Sequence, residues 1–137
     1  MAPSYNHAYL QAKLIGALLK FEKYSVFSEL TLTIDKNDYV PDICVYPARP
    51  INWLHDITKM SEMPLLAIEI LSPSQGTQAV IDKFGIYFQA GIKSCWLVAP
   101  VTNAVIVFSS YEEGKTFTDG EIIDNELKIK IPIKNIF

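Results

Sequence analysis

The feature that most constrains the fold is an apolar run at residues 64–71, Pro-Leu-Leu-Ala-Ile-Glu-Ile-Leu, in which Glu69 is the single charged side chain. Apolar residues at consecutive positions are typical of a strand that is covered on both faces, and such strands lie in the middle of a sheet. A carboxylate buried there without a partner would cost several kcal/mol of desolvation. The run therefore predicts a central strand in which Glu69 is paired or binds a metal ion.

The segment after this strand has the features of a crossover connection. Residues 72–76 break the apolar run, and a helical pattern covers residues 78–90, with Thr77 as the expected cap and Gly91 as the expected stop. Two further strand-like runs follow, at residues 94–98 and 104–108. The order strand, helix, strand predicts two parallel neighbouring strands.

The N-terminal part of the chain combines a helix with a hairpin. Apolar residues recur with helical period and predict an amphipathic helix over residues 4–22. From residue 24 to residue 34 the period changes to two, and turn-forming residues then occupy positions 35–38. With a second strand over residues 39–46, the pattern predicts a β-hairpin.

The register of this hairpin decides which side chains share a face with Asp42. If Asp35 pairs with Asp38 across a two-residue turn, Thr31 lies opposite Asp42 and Glu29 lies diagonally across from it, with about 7–8 Å between α-carbons. A slip of one residue would move Glu29 to the other face. Glu29 is therefore a secondary candidate for the functional site.

The remaining segments complete the predicted sheet. Charged residues alternate with isoleucines from residue 121 to residue 133, which indicates an edge hairpin or final strands, and residues 112–115 are typical of a solvated turn. Residues 47–63 have the composition of a loop. We predict one domain over residues 1–137 with an α/β fold, a mixed β-sheet flanked by helices.

Composition excludes several classes of function. The net charge is −3 with 12 basic side chains, and Arg49 is the one arginine, so the chain lacks the electrostatic signature of a dedicated nucleic-acid binder. Cys44 and Cys95 lie in apolar runs and are expected to be free thiols, which fits a cytoplasmic protein. We find neither a secretory signal nor an apolar run long enough for a membrane span.

Three residue types in order along the chain point to metal-assisted phosphodiester cleavage. The carboxylates of Asp42 and Glu69 and the main-chain carbonyl of Ile70 are oxygen ligands of the kind that Mg²⁺ or Mn²⁺ prefers. Lys83 lies in the helix that follows the strand of Glu69, so its long side chain can reach back over the strand end. An ammonium group there could orient or activate water and offset phosphate charge.

The same residues occur in a recognisable arrangement of motifs. Val40-Pro41-Asp42, Ile68-Glu69-Ile70-Leu71-Ser72-Pro73-Ser74, Lys83-Phe84-Gly85-Ile86-Tyr87 and Cys95-Trp96-Leu97-Val98-Ala99-Pro100 follow one another over nearly the whole chain. This arrangement resembles the Uma-type family of restriction-endonuclease-like proteins, a bacterial group with the PD-(D/E)xK nuclease fold. In that fold the lysine normally lies two residues after the second acidic residue, where this chain has Leu71, and in this family it is moved to the following helix, which matches Lys83.

The resemblance implies a metal-dependent DNA endonuclease that pairs as a homodimer. The chain departs from the family where many relatives carry acidic residues and it carries Ala79 and Ala99, and it has no acidic residue ahead of the first helix, where Asn6-His7 resembles the family's polar pair. The alternative is therefore a catalytically decayed nuclease-like module that acts as a binding or regulatory protein.

Three more side chains are secondary candidates. His7 and Gln11 share one face of the first helix and could supply a proton or a hydrogen bond, although a histidine near a terminus is more often a solvated cap. Tyr87 shares a helix face with Lys83, where it could contact substrate or pack in the core.

Overall fold

The structure, a computed structural model, describes residues 3–137. These residues contain two α-helices, α1 (Tyr5–Leu18) and α2 (Thr77–Gln89), and two short 3₁₀ turns at Pro100–Thr102 and Ile133–Asn135. The strands are β1 (Tyr24–Ser28), β2 (Leu32–Ile34), β3 (Asn37–Tyr39), β4 (Ile43–Pro47), β5 (Leu66–Ile70), β6 (Ser94–Ala99), β7 (Ala104–Ser110), β8 (Glu113–Phe117), β9 (Glu121–Asp124) and β10 (Ile129–Pro132).

Six strands form the main sheet in the order β1-β4-β5-β6-β7-β8. β5 and β6 are parallel and are joined by α2, whereas the other neighbouring pairs are antiparallel. Every residue of β5 is buried, as expected for a strand inside a covered sheet. The parallel crossover, the internal position of the apolar run and the mixed α/β sheet flanked by helices are thus confirmed.

The two faces of β5 pack against different layers. Leu66, Ile68 and Ile70 belong to a core cluster with residues of α1 and of the β9–β10 hairpin. Ala67 belongs to a second cluster with residues of α2 and β2. Because side chains alternate along a strand, Glu69 lies on the face of Ala67 and is directed towards α2.

The predicted register of the N-terminal hairpin is wrong. Ile34 pairs with Asn37, and Asp35 and Lys36 form the turn with φ angles of 49° and 68°. Two consecutive residues with positive φ are typical of a type I′ turn, whose twist matches that of the strands it joins. The turn therefore lies on Asp35 and Lys36, and the predicted pairing of Asp35 with Asp38 does not form.

The corrected register brings Glu29 directly opposite Asp42, in place of Thr31. Ser28 pairs with Ile43 at the end of β1, and the next residue, Glu29, donates its N–H to the Asp42 carbonyl oxygen at 3.1 Å. Glu29 has a φ of 52°, and there the chain leaves the main sheet. The predicted single hairpin is consequently two pairs, β1 with β4 in the main sheet and β2 with β3 in a separate one.

The predicted strand at residues 39–46 is split between β3 and β4 by Val40, Pro41 and Asp42. Proline has no N–H for a sheet ladder, which explains why pairing stops there. Asp42 therefore precedes a strand and does not lie in the middle of one.

Three other boundaries differ from the predictions. α1 ends at Leu18, not at residue 22, because the following N–H groups bond to carbonyls three residues back and tighten the turn. Thr77 is the first residue of α2, and Gly76 occupies the cap position without a side-chain hydrogen bond. Residues 113–115 are exposed, but they form part of edge strand β8, not a turn.

The predicted stop of α2 at Gly91 is confirmed. Gly91 has a φ of 108° and donates its N–H to Phe88, while Ile92 donates its N–H to Tyr87, a Schellman arrangement. Cys44 and Cys95 are free buried thiols, as predicted. No helix within residues 3–137 is long and apolar enough to cross a membrane.

Candidate active site

The pairing of β4 with β5 brings two carboxylates side by side. Ile43 pairs with Ile68, so one step further along the same register Asp42 lies opposite Glu69. Residues directly opposite each other in an antiparallel pair have side chains on the same face. The two acidic residues therefore meet at the carboxyl end of β5, although 26 residues separate them in the sequence.

The Asp42 carboxylate is held by a main-chain donor. The N–H of Ile70 donates to Asp42 Oδ2 at 2.7 Å. The register places Pro41 opposite Ile70, and because proline has no N–H, it cannot donate to the Ile70 carbonyl as a ladder partner would. The N–H and C=O of one strand residue point to the same neighbour, so the Ile70 carbonyl lies on the edge of β5 that faces Asp42.

His7 is a second residue that contacts the Asp42 carboxylate. Its Nε2 lies 3.1 Å from Asp42 Oδ2, and its side chain is buried at the start of α1. The other ring nitrogen, Nδ1, is buried with no hydrogen-bond partner among the described residues. The expectation of a solvated histidine cap is therefore wrong; Ser4 caps α1, accepting a hydrogen bond from the N–H of His7.

Gln11 connects the same helix to Glu29, which follows β1, and to Asp42, which precedes β4. Its Nε2 donates to Glu29 Oε2 at 3.2 Å and to the Asp42 carbonyl oxygen at 3.0 Å. His7 and Gln11, one turn apart, thus both contact Asp42, through its side chain and its main chain. The contacts fix α1 over this end of the sheet.

Glu69 is buried, with 3% of its surface exposed, and has two partners on α2. The Tyr87 hydroxyl donates to Glu69 Oε2 at 2.8 Å, and Lys83 Nζ lies 3.7 Å from Glu69 Oε1. Lys83 and Tyr87 are four residues apart and so project from the same helix face. The structure thus brings Asp42, Glu69 and Lys83 together, and Tyr87 is both a core residue and a hydrogen-bond donor.

The charge of Glu69 is poorly compensated. The pKa of Glu69 is raised to about 7, with burial as the main cause; the Lys83 ammonium lowers it, the Asp42 carboxylate raises it and the hydrogen bond from Tyr87 lowers it. Burial, followed by the charge of Glu69, also raises the pKa of Tyr87 far above its usual range, so this hydroxyl remains a donor. A carboxyl group that titrates near neutrality beside a second carboxylate is typical of a functional site.

Five of the predicted site residues line one open cleft of about 440 Å³. Its lining residues are Pro3, His7, Glu29, Val40, Asp42, Glu69, Ser72, Ser74, Gln75 and Lys83. The sequence predicted His7, Glu29, Asp42, Glu69 and Lys83 for the site but assigned the loop at residues 72–76 only a turn. The position of this loop directly after the strand of Glu69 could have indicated that it lines the site, because loops at strand ends often carry site residues.

The donor set suits a hard divalent cation. Asp42, Glu69 and the Ile70 carbonyl are oxygen ligands, and a cation between the two carboxylates would offset the repulsion that raises the pKa of Glu69. Within residues 3–137 there is no cluster of three or more histidine, cysteine, aspartate or glutamate side chains with metal-binding geometry. Any cation would therefore need the main-chain carbonyl, water or substrate oxygens as further ligands.

A family model described as "Putative restriction endonuclease", Uma2, matches residues 1–130. The chain belongs to the Uma2 family. A search of curated proteins finds no match.

A solved structure supports the fold of this Uma2 protein. The chain is similar to a protein from Anabaena variabilis ATCC 29413, described as a putative nuclease belonging to DUF820, with a TM-score of 0.83 and 23% identity. The similarity covers 100% of this chain and 83% of the other. The Uma2 protein thus has the nuclease-like fold that the motif order implies, with α2 carrying the lysine that faces the two acidic residues.

Proposed function

We propose that the protein is a metal-dependent phosphodiester hydrolase that cleaves DNA. The observation that carries this proposal is the meeting of three groups in one cleft: Asp42, just before β4, lies opposite Glu69 of β5, and Lys83 Nζ lies 3.7 Å from Glu69 Oε1. Membership of the Uma2 family supports a nucleic-acid substrate.

Asp42, Glu69 and the Ile70 carbonyl would hold the cation, Mg²⁺ or Mn²⁺. When bound, such an ion supplies Lewis-acid stabilisation of the negative charge that develops on a phosphate in the transition state. The N–H of Ile70, which donates to Asp42 Oδ2, and the Nε2 of His7, 3.1 Å from the same oxygen, fix the orientation of this carboxylate. Preorganised ligands of this kind need no rearrangement when substrate arrives.

Lys83 orients the attacking water and offsets charge on the phosphate. Its side chain is 30% exposed, so the ammonium group reaches both the buried Glu69 and the solvent in the cleft. In the proposed reaction the water oxygen attacks phosphorus and releases a proton to solvent, while the bond to the leaving oxygen breaks and that oxygen keeps the electron pair and takes up a proton from solvent. Tyr87 holds Glu69 Oε2 throughout and leaves Oε1 facing Lys83.

Cleavage assays with matched variants test the proposal. Supercoiled plasmid and single-stranded DNA are incubated with the protein and Mn²⁺, alongside Asp42→Asn and Lys83→Met, which preserve the shape of each side chain. Lys93→Met is the control, because Lys93 is exposed and precedes β6 at the opposite end of the sheet. We expect wild type and Lys93→Met to cleave, and the site variants to lose a factor of at least about 100.

Equal rates for wild type and the site variants would overturn the enzyme proposal. That result would favour the alternative, a catalytically decayed module that binds a partner, which the alanines at positions 79 and 99 motivate. Cleavage of a small phosphodiester that short oligonucleotides do not inhibit would instead indicate a hydrolase of another substrate class. The homodimer that the family resemblance implies stays a prediction, and light scattering at micromolar concentration would measure it.

A further inference from the structure

A second groove opens beside the catalytic cleft. We call it the Tyr5 groove, with a volume of about 590 Å³, and the residues that characterise it are Tyr5, Asn6, Pro73, Pro100, Val101 and Thr102. It lies where the first turn of α1, the loop after β5 and the 3₁₀ turn after β6 come together. Its size is within the range of about 300–1,000 Å³ that holds small ligands in proteins.

The Tyr5 groove adjoins the cleft that contains Asp42 and Glu69. Ser72 and Gln75 line both. A polymer whose phosphodiester lies at the two carboxylates therefore passes Ser72 and Gln75 to place its neighbouring unit in the groove.

The chemistry of the groove differs from that of the cleft. Among residues 3–137, none of those that line the groove is charged, and most of its surface is apolar, with neutral polar groups that include Asn6 and Thr102. The Tyr5 side chain is 89% exposed and Val101 is 99% exposed. An uncharged site with a free aromatic ring fits a flat, neutral, aromatic group better than a phosphate, which requires positive charge or convergent donors.

A nucleobase is such a group. We infer, on the basis of the proposed function, that the Tyr5 groove binds an unpaired nucleobase next to the scissile phosphodiester, so that the substrate is single-stranded or locally unpaired nucleic acid. A base inside a duplex is stacked on both faces and cannot reach a side groove, whereas an unpaired base can stack on the tyrosine ring. Stacking also suits a protein of net charge −3, because it adds affinity without added positive charge.

Binding measurements without divalent metal test this inference independently of cleavage. Fluorescence anisotropy with EDTA compares a labelled single strand of about 12 nucleotides, the matching duplex, and the same strand with one central abasic position. The variants are Tyr5→Ala and Tyr5→Phe. Tyr9→Ala is the matched control, because Tyr9 is also exposed on α1 but lies one turn away and does not line the groove.

We expect Tyr5→Ala to weaken single-strand binding by about tenfold and duplex binding by less than about twofold, while Tyr5→Phe and Tyr9→Ala bind as wild type does. The abasic position should weaken wild type but not Tyr5→Ala. Unchanged single-strand affinity for Tyr5→Ala, or equal losses for Tyr5→Ala and Tyr9→Ala, would overturn the inference.

The two proposals fail separately. If the protein cleaves DNA but the Tyr5 variants bind and cleave every substrate equally, the groove is not a base site and the nuclease stands. If wild type does not cleave but binding depends on the base and on Tyr5, the base-binding role of the groove is supported and the catalytic proposal is wrong.

Discussion

At Glu69 burial and charge oppose each other. The residue lies inside a strand whose other members are all apolar, and its partners on α2, Lys83 and Tyr87, only partly restore what the carboxylate loses on leaving water. Its pKa of about 7 is consequently well above the ordinary value of 4.5. A group of this kind makes stability depend on pH, and it would have the same effect on the proposed binding of a cation.

We predict that Glu69→Gln stabilises the protein at high pH. Between pH values of about 4.5 and 7 the folded state holds a proton that the unfolded chain releases, so the free energy of unfolding of wild type falls as pH rises and then levels off above 7. The amide of the variant does not titrate, so above pH 7 the variant should exceed wild type by on the order of 1–3 kcal/mol. Urea denaturation in EDTA at several pH values measures the difference.

The exposed Glu113→Gln serves as the control and should retain the wild-type pH profile. Parallel profiles for wild type and Glu69→Gln would contradict the assignment of this titration to Glu69. With Mn²⁺ present, the wild-type protein should bind the cation more tightly as pH rises through about 7, because the proton and the cation compete for the same carboxylate.

His7 supplies a second prediction at the scale of single residues. Removing the Nε2 contact in His7→Ala leaves Asp42 Oδ2 with one donor, the N–H of Ile70. Loss of a side chain that orients a metal ligand typically costs about 10- to 100-fold in metal affinity or activity. We expect a loss of that size in Mn²⁺ affinity by calorimetry, and a partial recovery in His7→Gln, whose amide can donate.

The other histidine, His55, is exposed in the loop at residues 47–63, so His55→Ala should bind Mn²⁺ as wild type does. A wild-type affinity in His7→Ala would show that His7 has no positioning role. The sequence placed His7 and Gln11 on one helix face correctly, but their burial depends on where α1 packs against the sheet. Local pattern carries no information on that packing, which is why a solvated cap was the expectation.

At the scale of elements, one buried carboxylate of the C-terminal hairpin accepts hydrogen bonds from the sheet, in addition to the apolar packing of the hairpin. Asp124, with 1% of its surface exposed, accepts hydrogen bonds from Ser94 Oγ at 3.2 Å, Trp96 Nε1 at 2.9 Å and the N–H of Leu127 at 3.1 Å. The predicted hairpin at residues 121–133 is present as β9 and β10. The alternation of charges and isoleucines marked the strands but could not separate Asp124 from its solvated neighbours.

We predict that Asp124→Ala lowers the free energy of unfolding by roughly 3 kcal/mol or more, because three buried donors lose their acceptor. Asp124→Asn, which keeps one acceptor oxygen, should lose less. The measurement is urea denaturation in a Trp53→Phe background, so that the fluorescence reports Trp96 alone. Equal stability of Asp124→Ala and wild type would mean that water or other groups satisfy these donors.

Element boundaries and strand register were the parts of the fold that the sequence predicted least well. The type of each major element followed from its period, since helix and strand patterns differ over a dozen residues. The register depended on which two residues adopt positive φ at the first turn, and Asp35, Lys36, Asn37 and Asp38 all have turn chemistry. Only the final packing of β1 and β2 against their partners selects among them.

At the scale of the whole molecule, charge limits how the protein could bind its proposed substrate, DNA. A chain with 12 basic residues, one arginine and a net charge of −3 can neutralise few phosphates. We predict that the logarithm of the duplex-binding constant falls with the logarithm of salt concentration with a slope no steeper than about −3. Anisotropy titrations over a salt series measure this slope.

Lys83→Met should make the slope shallower by about one, whereas Lys93→Met should leave it unchanged. A slope of about −6 or steeper would reveal extensive phosphate contacts and contradict this view. The sequence predicted the sheet, its crossover and the convergence of Asp42, Glu69 and Lys83. It contained no sign of the Tyr5 groove, because that surface is assembled from three turns that are far apart in the chain and share no motif.

Pro41 determines whether the Ile70 carbonyl oxygen is used by the sheet ladder. Any other amino acid opposite Ile70 would have an amide hydrogen. β4 and β5 could then form one more ladder hydrogen bond, to the Ile70 carbonyl oxygen. The added hydrogen bond would strengthen the sheet and occupy the Ile70 carbonyl oxygen, which is a proposed ligand of the cation. A further ladder hydrogen bond and the proposed cation would thus need the same carbonyl oxygen, and Pro41 leaves that oxygen available to the cation.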